Sequence, residues 1–172
     1  MGTDKALLRL RGKPLIQETA EALRARFPEA FIVADAAGAG VYAGAGLPVV
    51  ADRVRGAGPL AGIAAALAAA SRDRVFVVAC DMPDLDFALV ARLLDAAADA
   101  DCAVPRVGEG LYEPLYAVYR RSALPAAEAA LAEGRFGVHG LFSRLSVRWV
   151  DHPAGLRNLN TPEDVSRYRS GS

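Results

Sequence analysis

From Arg74 to Cys80 the chain reads Arg-Val-Phe-Val-Val-Ala-Cys, apolar at every position from Val75 to Ala79, and Asp81 follows at once. A run this short, β-branched and without alternation, is the pattern of a strand covered on both faces. It predicts a central parallel strand, and parallel strands need helical crossovers. The flanking sequence supplies them. Over residues 15–27, Leu15, Ile16, Thr19, Ala20, Leu23 and Phe27 share one helical face, with Gln17, Glu18, Glu21 and Arg24 opposite. Residues 59–71 are Ala, Leu and Ile behind Gly56 and Gly58, with Pro59 placed for a first helical turn.

Asp86 is placed to cap a helix reaching Ala97, and residues 125–133 read as another. Short apolar runs at 31–34, 47–51, 102–105 and 115–119 read as further strands, and 146–150 alternates as an exposed or edge strand does. Thr161-Pro162-Glu163-Asp164 starts a last short helix with a capping box. Ala6 to Leu10 reads as a short extended segment closed by a turn at Arg11-Gly12-Lys13-Pro14. The Gly/Ala-rich connection between the first two strands carries no assignable pattern. Strands alternating with helices predict a three-layer α/β fold with a mostly parallel central sheet and right-handed crossovers. At 172 residues and 53% hydrophobic content the chain fits one domain, 1–172, and is too short for two.

Charge excludes some partners. Twenty basic and twenty acidic residues cancel without any basic block, which argues against nucleic acid or an anionic membrane surface and for a small-molecule partner. No apolar run has the length of a membrane span, and the N-terminal residues lack a signal-peptide pattern. Cys80 and Cys102 each lie in or beside an apolar run and read as reduced, buried thiols, which points to the cytoplasm. His139 and His152 lack the neighbours a zinc site needs.

In an open parallel sheet, ligands bind beyond the carboxyl ends of the strands, so the chemistry is expected around Asp81. The residue has two readings that pattern does not separate: a helix-capping or turn aspartate, or a ligand for a Mg²⁺ that bridges phosphates. Asp52 follows the strand at 47–51 and is expected on the same side of the sheet, though a loop aspartate is the commoner case. Gly56-Ala57-Gly58-Pro59 opens a helix whose N-terminal N–H groups suit an anion, and equally suits a plain turn. Lys5 is an isolated charge that composition alone does not select.

Five segments in order resemble the molybdenum cofactor guanylyltransferase family: Met1-Gly2-Thr3-Asp4-Lys5-Ala6-Leu7-Leu8, Gly12-Lys13-Pro14-Leu15, Gly58-Pro59-Leu60-Ala61-Gly62, Cys80-Asp81-Met82-Pro83, and Asn158-Leu159-Asn160-Thr161-Pro162-Glu163-Asp164. The resemblance implies a three-layer Rossmann-like nucleotidyltransferase fold. It implies Mg²⁺-dependent transfer of GMP from GTP to the terminal phosphate of molybdopterin, with release of pyrophosphate. Lys5 matches the family's phosphate-contacting lysine, Asp81 its Mg²⁺ ligand and Asp52 an aspartate associated with GTP binding. Asn158 and Asn160 match asparagines near the metal and the acceptor, and Glu113-Pro114-Leu115-Tyr116-Ala117 matches a segment facing the pterin. Contact with other proteins of molybdenum cofactor biosynthesis is implied as well.

Two departures bear on these expectations. The family carries a strand and a Leu-Ala-Gly-Gly-x-Ser-x-Arg nucleotide loop immediately before the segment that begins here at Met1. The resemblance therefore implies a coding start upstream, and without that strand the strands at 31–34 and 75–79 are expected to lack a shared partner. Ala34 stands near the place of a nucleotide-contacting Asn, which leaves the choice of base open. Two other readings follow: a related transferase using CTP or another phosphorylated acceptor, and a non-catalytic molybdopterin-binding relative.

Overall fold

The computed structural model describes residues 5–9, 12–35, 38, 40–52, 54 and 56–170. The chain runs through α1 (Leu15–Arg24), β1 (Ile32–Asp35), β2 (Val49–Asp52), α2 (Gly58–Ala69), β3 (Arg74–Val78), α3 (Phe87–Ala96), β4 (Cys102–Gly108), β5 (Leu111–Tyr112) and β6 (Tyr116–Arg120). It closes through α4 (Leu124–Ala132), α5 (Val138–Leu141), β7 (Val147–Asp151) and α6 (Pro162–Ser170). Apolar faces decide the layering. On one side of the larger sheet Leu60, Ile63 and Leu67 of α2 and Ala127 of α4 pack on Cys102, Val104 and Tyr119. On the other, Leu89, Val90 and Leu93 of α3 pack on Ala103, Tyr116 and Val118. Successive residues of β4 and β6 thus serve opposite cores, as strand geometry requires. The result is three layers, helix, sheet and helix.

Among the described residues the strands form two sheets. β1 and β2 pair in parallel, with Ile32 opposite Val49 and Asp35 opposite Asp52. The larger sheet has the order β3-β6-β4-β5, and β7 joins β4 in parallel. β3 with β6, β6 with β4, and β4 with β5 are antiparallel. The sheet is therefore mixed, not mostly parallel, and β3 lies at its edge rather than its centre. The apolar run from Val75 to Ala79 records burial of both faces but holds no information on strand direction. Direction is set by β5 and the Glu113–Leu115 connection, which turn the chain back between β3 and β4.

β1 and β3 face each other across an apolar slot of about 780 Å³, lined among others by Thr19 and Ala20 of α1, Ile63 and Ala66 of α2, Val33, and Phe76. Ile32 N–H donates to the Pro48 carbonyl at 2.9 Å, so the intervening residue Val33 turns its peptide groups toward the slot. Ala79 N–H donates to the Leu115 carbonyl and Arg121 N–H to the Asp73 carbonyl, each at 2.8 Å, which leaves the peptide groups of Phe76 and Val78 turned the same way. Among the described residues these two strands have no common neighbour.

Two local expectations are corrected. Lys5–Leu7 is a 3-10 turn rather than an extended segment. Burial of Ala6 and the Leu15 N–H bond to the Leu8 carbonyl at 2.8 Å close the chain tightly here, and the strand pairing of this segment among the described residues is an isolated bridge between Arg9 and Pro14; Leu10 and Arg11 lie outside the described residues. Cys102 is buried as expected, but Cys80 is exposed, because it has left β3 and entered the following turn.

Candidate active-site crevice

Asp81 lies half-buried in the turn after β3. Capping of α3 belongs to Asp86, whose Oδ1 accepts from Ala88 N–H at 2.9 Å and Leu89 N–H at 3.1 Å. That removes the cap reading of Asp81 while leaving its turn. The Asp81 carbonyl accepts the N–H of Leu159 at 2.8 Å, which ties the Asn158-Leu159-Asn160 segment to the end of β3. Leu159 is inserted in a small core with Leu15 and Val165, against which Leu8 and Tyr168 pack. The N-terminal turn, the closing motif and Asp81 thus converge on one place. Lys5 opens that N-terminal turn; its side chain, and Met1 to Asp4, lie outside the described residues.

The closing motif is held from its far side too. Asp164 Oδ2 accepts from Thr161 N–H at 2.9 Å and Asn160 N–H at 3.0 Å, while Thr161 Oγ1 accepts from Asp164 N–H at 3.1 Å. This is the reciprocal cap expected from the sequence, with aspartate in the glutamate's role. The backbone N–H groups of Thr161 and Asn160 hold the Asp164 carboxyl below its ordinary range. Tyr168 donates to Asp84 at 2.8 Å and so ties α6 to the loop after Asp81. Asn160 is exposed and Asn158 half-buried.

Glu113, which sequence reasoning places only within a matched segment, is a second partner in this cluster. Its Oε2 accepts from the Asn158 amide at 3.3 Å and its Oε1 from Leu115 N–H at 3.3 Å. The buried Tyr119 hydroxyl donates to the Pro114 carbonyl at 2.9 Å and fixes the same loop; burial raises its pKa well above the ordinary value, so it stays a donor.

Asp52 ends β2 and accepts the Val54 N–H at 2.8 Å, an Asx turn. It stands in register with Asp35, whose Oδ1 accepts from Gly38 N–H. Asp35 is a residue that sequence reasoning passes over, and its position after a strand was the available signal. Beyond Asp52, Gly56 and Gly58 adopt φ of +72° and +62° around the fully buried Ala57, a path that glycine follows without strain. α2 starts there with no side-chain cap, leaving its first N–H groups directed at the crevice end of the fold. The β2-α2-β3 crossover carries Asp52 and Asp81 to corresponding strand ends.

The arrangement has the character of an α/β nucleotide-handling fold, and comparison with known proteins bears this out. Over 98% of this chain and 90% of theirs, the fold matches the crystal structure of molybdopterin-guanine dinucleotide biosynthesis protein A from Archaeoglobus fulgidus, at a TM-score of 0.84 and 26% identity. It also matches 2-C-methyl-D-erythritol 4-phosphate cytidylyltransferase from Thermus thermophilus at a TM-score of 0.74 and 25% identity, over 96% of this chain and 92% of that one. These define a nucleotidyltransferase fold.

The sequence profile of the MobA-like NTP transferase domain matches residues 1–148, and the chain belongs to that family. Among its relatives are a protein named probable molybdenum cofactor guanylyltransferase from Pelotomaculum thermopropionicum, 34% identical over 98% of this chain and 85% of the relative, and the molybdenum cofactor guanylyltransferase of Vibrio cholerae, 33% identical over 97% and 83%. The family found is the one the five motifs pointed to.

Proposed function

We propose that the protein transfers GMP from GTP to the terminal phosphate of molybdopterin, releasing pyrophosphate, in the cytoplasm. The observation that carries this reading is the bond from Leu159 to Asp81, which gathers the motif around Asp81 and the closing asparagine motif at one strand end. It is supported by relatives named for that activity along nearly the whole chain. Among the described residues no helix is long and apolar enough to cross a membrane.

In such a transfer an oxygen of the acceptor phosphate bonds to the α-phosphorus of GTP as the bond to the pyrophosphate oxygen breaks. Little covalent work is required of the protein; alignment and charge neutralisation are. Lys5 would meet the phosphates as a point charge. Asp52 and the first N–H groups of α2 would hold the nucleotide, and Asn158 and Asn160 would border the acceptor.

Asp81 would hold Mg²⁺, which when bound supplies positive charge to the transferring phosphates. Among the described residues no group of three or more His, Cys, Asp or Glu gathers for a metal. One carboxylate at the crevice nevertheless fits Mg²⁺, which is commonly held by one or two carboxylates together with substrate phosphates and water.

A cytidylyltransferase among the structural matches supports a second reading, in which CTP is the donor. Thermal melts with Mg²⁺ and GTP, CTP or ATP separate them: a ligand that binds the folded state raises the melting temperature. A rise with GTP and Mg²⁺ alone is expected. A rise with CTP alone selects the second reading, and equal rises with all three contradict guanine selectivity.

A further inference from the structure

The Asn158 side chain is held in one polarity. Its Nδ2 donates to Glu113 Oε2 at 3.3 Å, whereas its Oδ1 is buried and has no hydrogen-bond partner among the described residues. An amide turned over by 180° would set its carbonyl against a carboxylate that only accepts, so the chemistry of Glu113 permits one orientation. Glu113 is itself fixed, by the Leu115 N–H on its other oxygen and by Tyr119 on the neighbouring Pro114 carbonyl. The backbone at Asn158 is fixed as well, because the next residue, Leu159, is buried and bonded to Asp81. A buried carbonyl without a donor is costly, and such an orphan in a site pinned on every side calls for a function.

We propose that Glu113 is a positioning residue: it turns the Asn158 amide so that the carbonyl oxygen Oδ1, and not the NH₂ group, is kept for an electropositive group of the bound substrates. That group is an N–H or O–H donor of the acceptor, or the cation carried with the phosphates. Asn158 in this orientation does not serve a phosphate oxygen, which would require the NH₂ group. The inference rests on the transfer reaction proposed for this site, but the pairing that underlies it can be read without turnover.

The test is a cycle of Glu113→Gln, Asn158→Asp and the double variant. Asn158→Asp sets two carboxylates together and is expected to lower the melting temperature by roughly 3 °C, as the loss of about 1 kcal/mol does in a domain of this size. Glu113→Gln frees the amide to turn and is expected to raise one apparent constant about tenfold with kcat nearly kept. If that constant is the KM of the acceptor, the donor lies on the acceptor. If it is the Mg²⁺ concentration for half-maximal rate, the cation is the partner.

In the double variant the glutamine amide donates to the aspartate, which still presents an oxygen to the substrate. Recovery of both melting temperature and the affected constant is expected. Additive losses in the double variant, or wild-type constants in Glu113→Gln, overturn the proposal. Restored melting temperature in a set of proteins that all fail to transfer GMP would instead sink the reading of the reaction and leave the pairing standing.

Discussion

The main-chain N–H of Leu159 lies 2.8 Å from the carbonyl oxygen of Asp81, joining the last motif of the chain to the end of β3 across 78 positions of sequence. Leu159 holds this bond in place because its side chain is buried with Leu15 and Val165. The N-terminal turn packs on the same cluster through Leu8. One buried leucine therefore sets the relative positions of the segments that carry Lys5, Asp81, Asn158 and Asn160.

Leu159→Ala should accordingly cost about 3 kcal/mol through the cavity it leaves, and should lower activity beyond that by freeing the asparagines. Chemical denaturation and steady-state rates, measured on the residual folded fraction, check the two effects separately.

Asp81→Asn should reduce turnover by at least about a hundredfold with a melting temperature close to that of the wild type, since it removes the carboxylate proposed to hold Mg²⁺ and keeps the shape. Asp86→Ala should do the reverse: a loss of about 1 kcal/mol from the missing α3 cap, with little change in kcat. Parallel losses of stability and activity for Asp81→Asn would return it to a structural role.

The two cysteines should behave differently. Burial pushes the Cys102 thiol up to about 12, and it is fully enclosed, whereas Cys80 is exposed. Iodoacetamide at pH 8 should modify Cys80 in the native protein and reach Cys102 only after denaturation, as peptide mass analysis would show.

Asp101 accepts from Ser122 Oγ at 2.6 Å and from Ser146 N–H at 2.9 Å, and these bonds hold its carboxyl below the ordinary range. A depressed pKa in the folded state adds stability above the unfolded value near 3.9. That stability is lost as pH falls through the folded value, so the window lies below about pH 4. Asp101→Asn should flatten this acid limb and cost about 0.5–1 kcal/mol at neutral pH, a figure reduced for solvent screening. Urea melts at pH 3, 4 and 7 check both.

The slot between β1 and β3 predicts rapid hydrogen exchange at the N–H groups of Val33, Phe76 and Val78, despite the apolar sequence around them. Ala66→Leu, which adds apolar volume to the slot wall, should raise the melting temperature by a few degrees.

Much of this fold could be read from the residues. The apolar stripe of α1, the Ala-rich α2, the Asp86 cap and the Thr161 box each act within a few positions of one another, and each formed as local chemistry dictates. Strand direction was not legible, because Val75 to Val78 would look the same beside a parallel or an antiparallel neighbour. The exposure of Cys80 was hidden because it depends on where β3 ends. Glu113 was hidden for another reason: its partner Asn158 is 45 positions away, and no local pattern announces a contact at that distance. Asp81 stands out in the sequence by its place after an apolar run, but its separation from the capping role needed the bonds of Asp86.

The most direct test incubates the protein with molybdopterin, Mg²⁺ and GTP labelled at the α-phosphate. The account predicts that label enters the pterin product with one pyrophosphate released per transfer, from GTP and not from CTP. Well-folded protein that binds molybdopterin yet transfers label from neither nucleotide would contradict it.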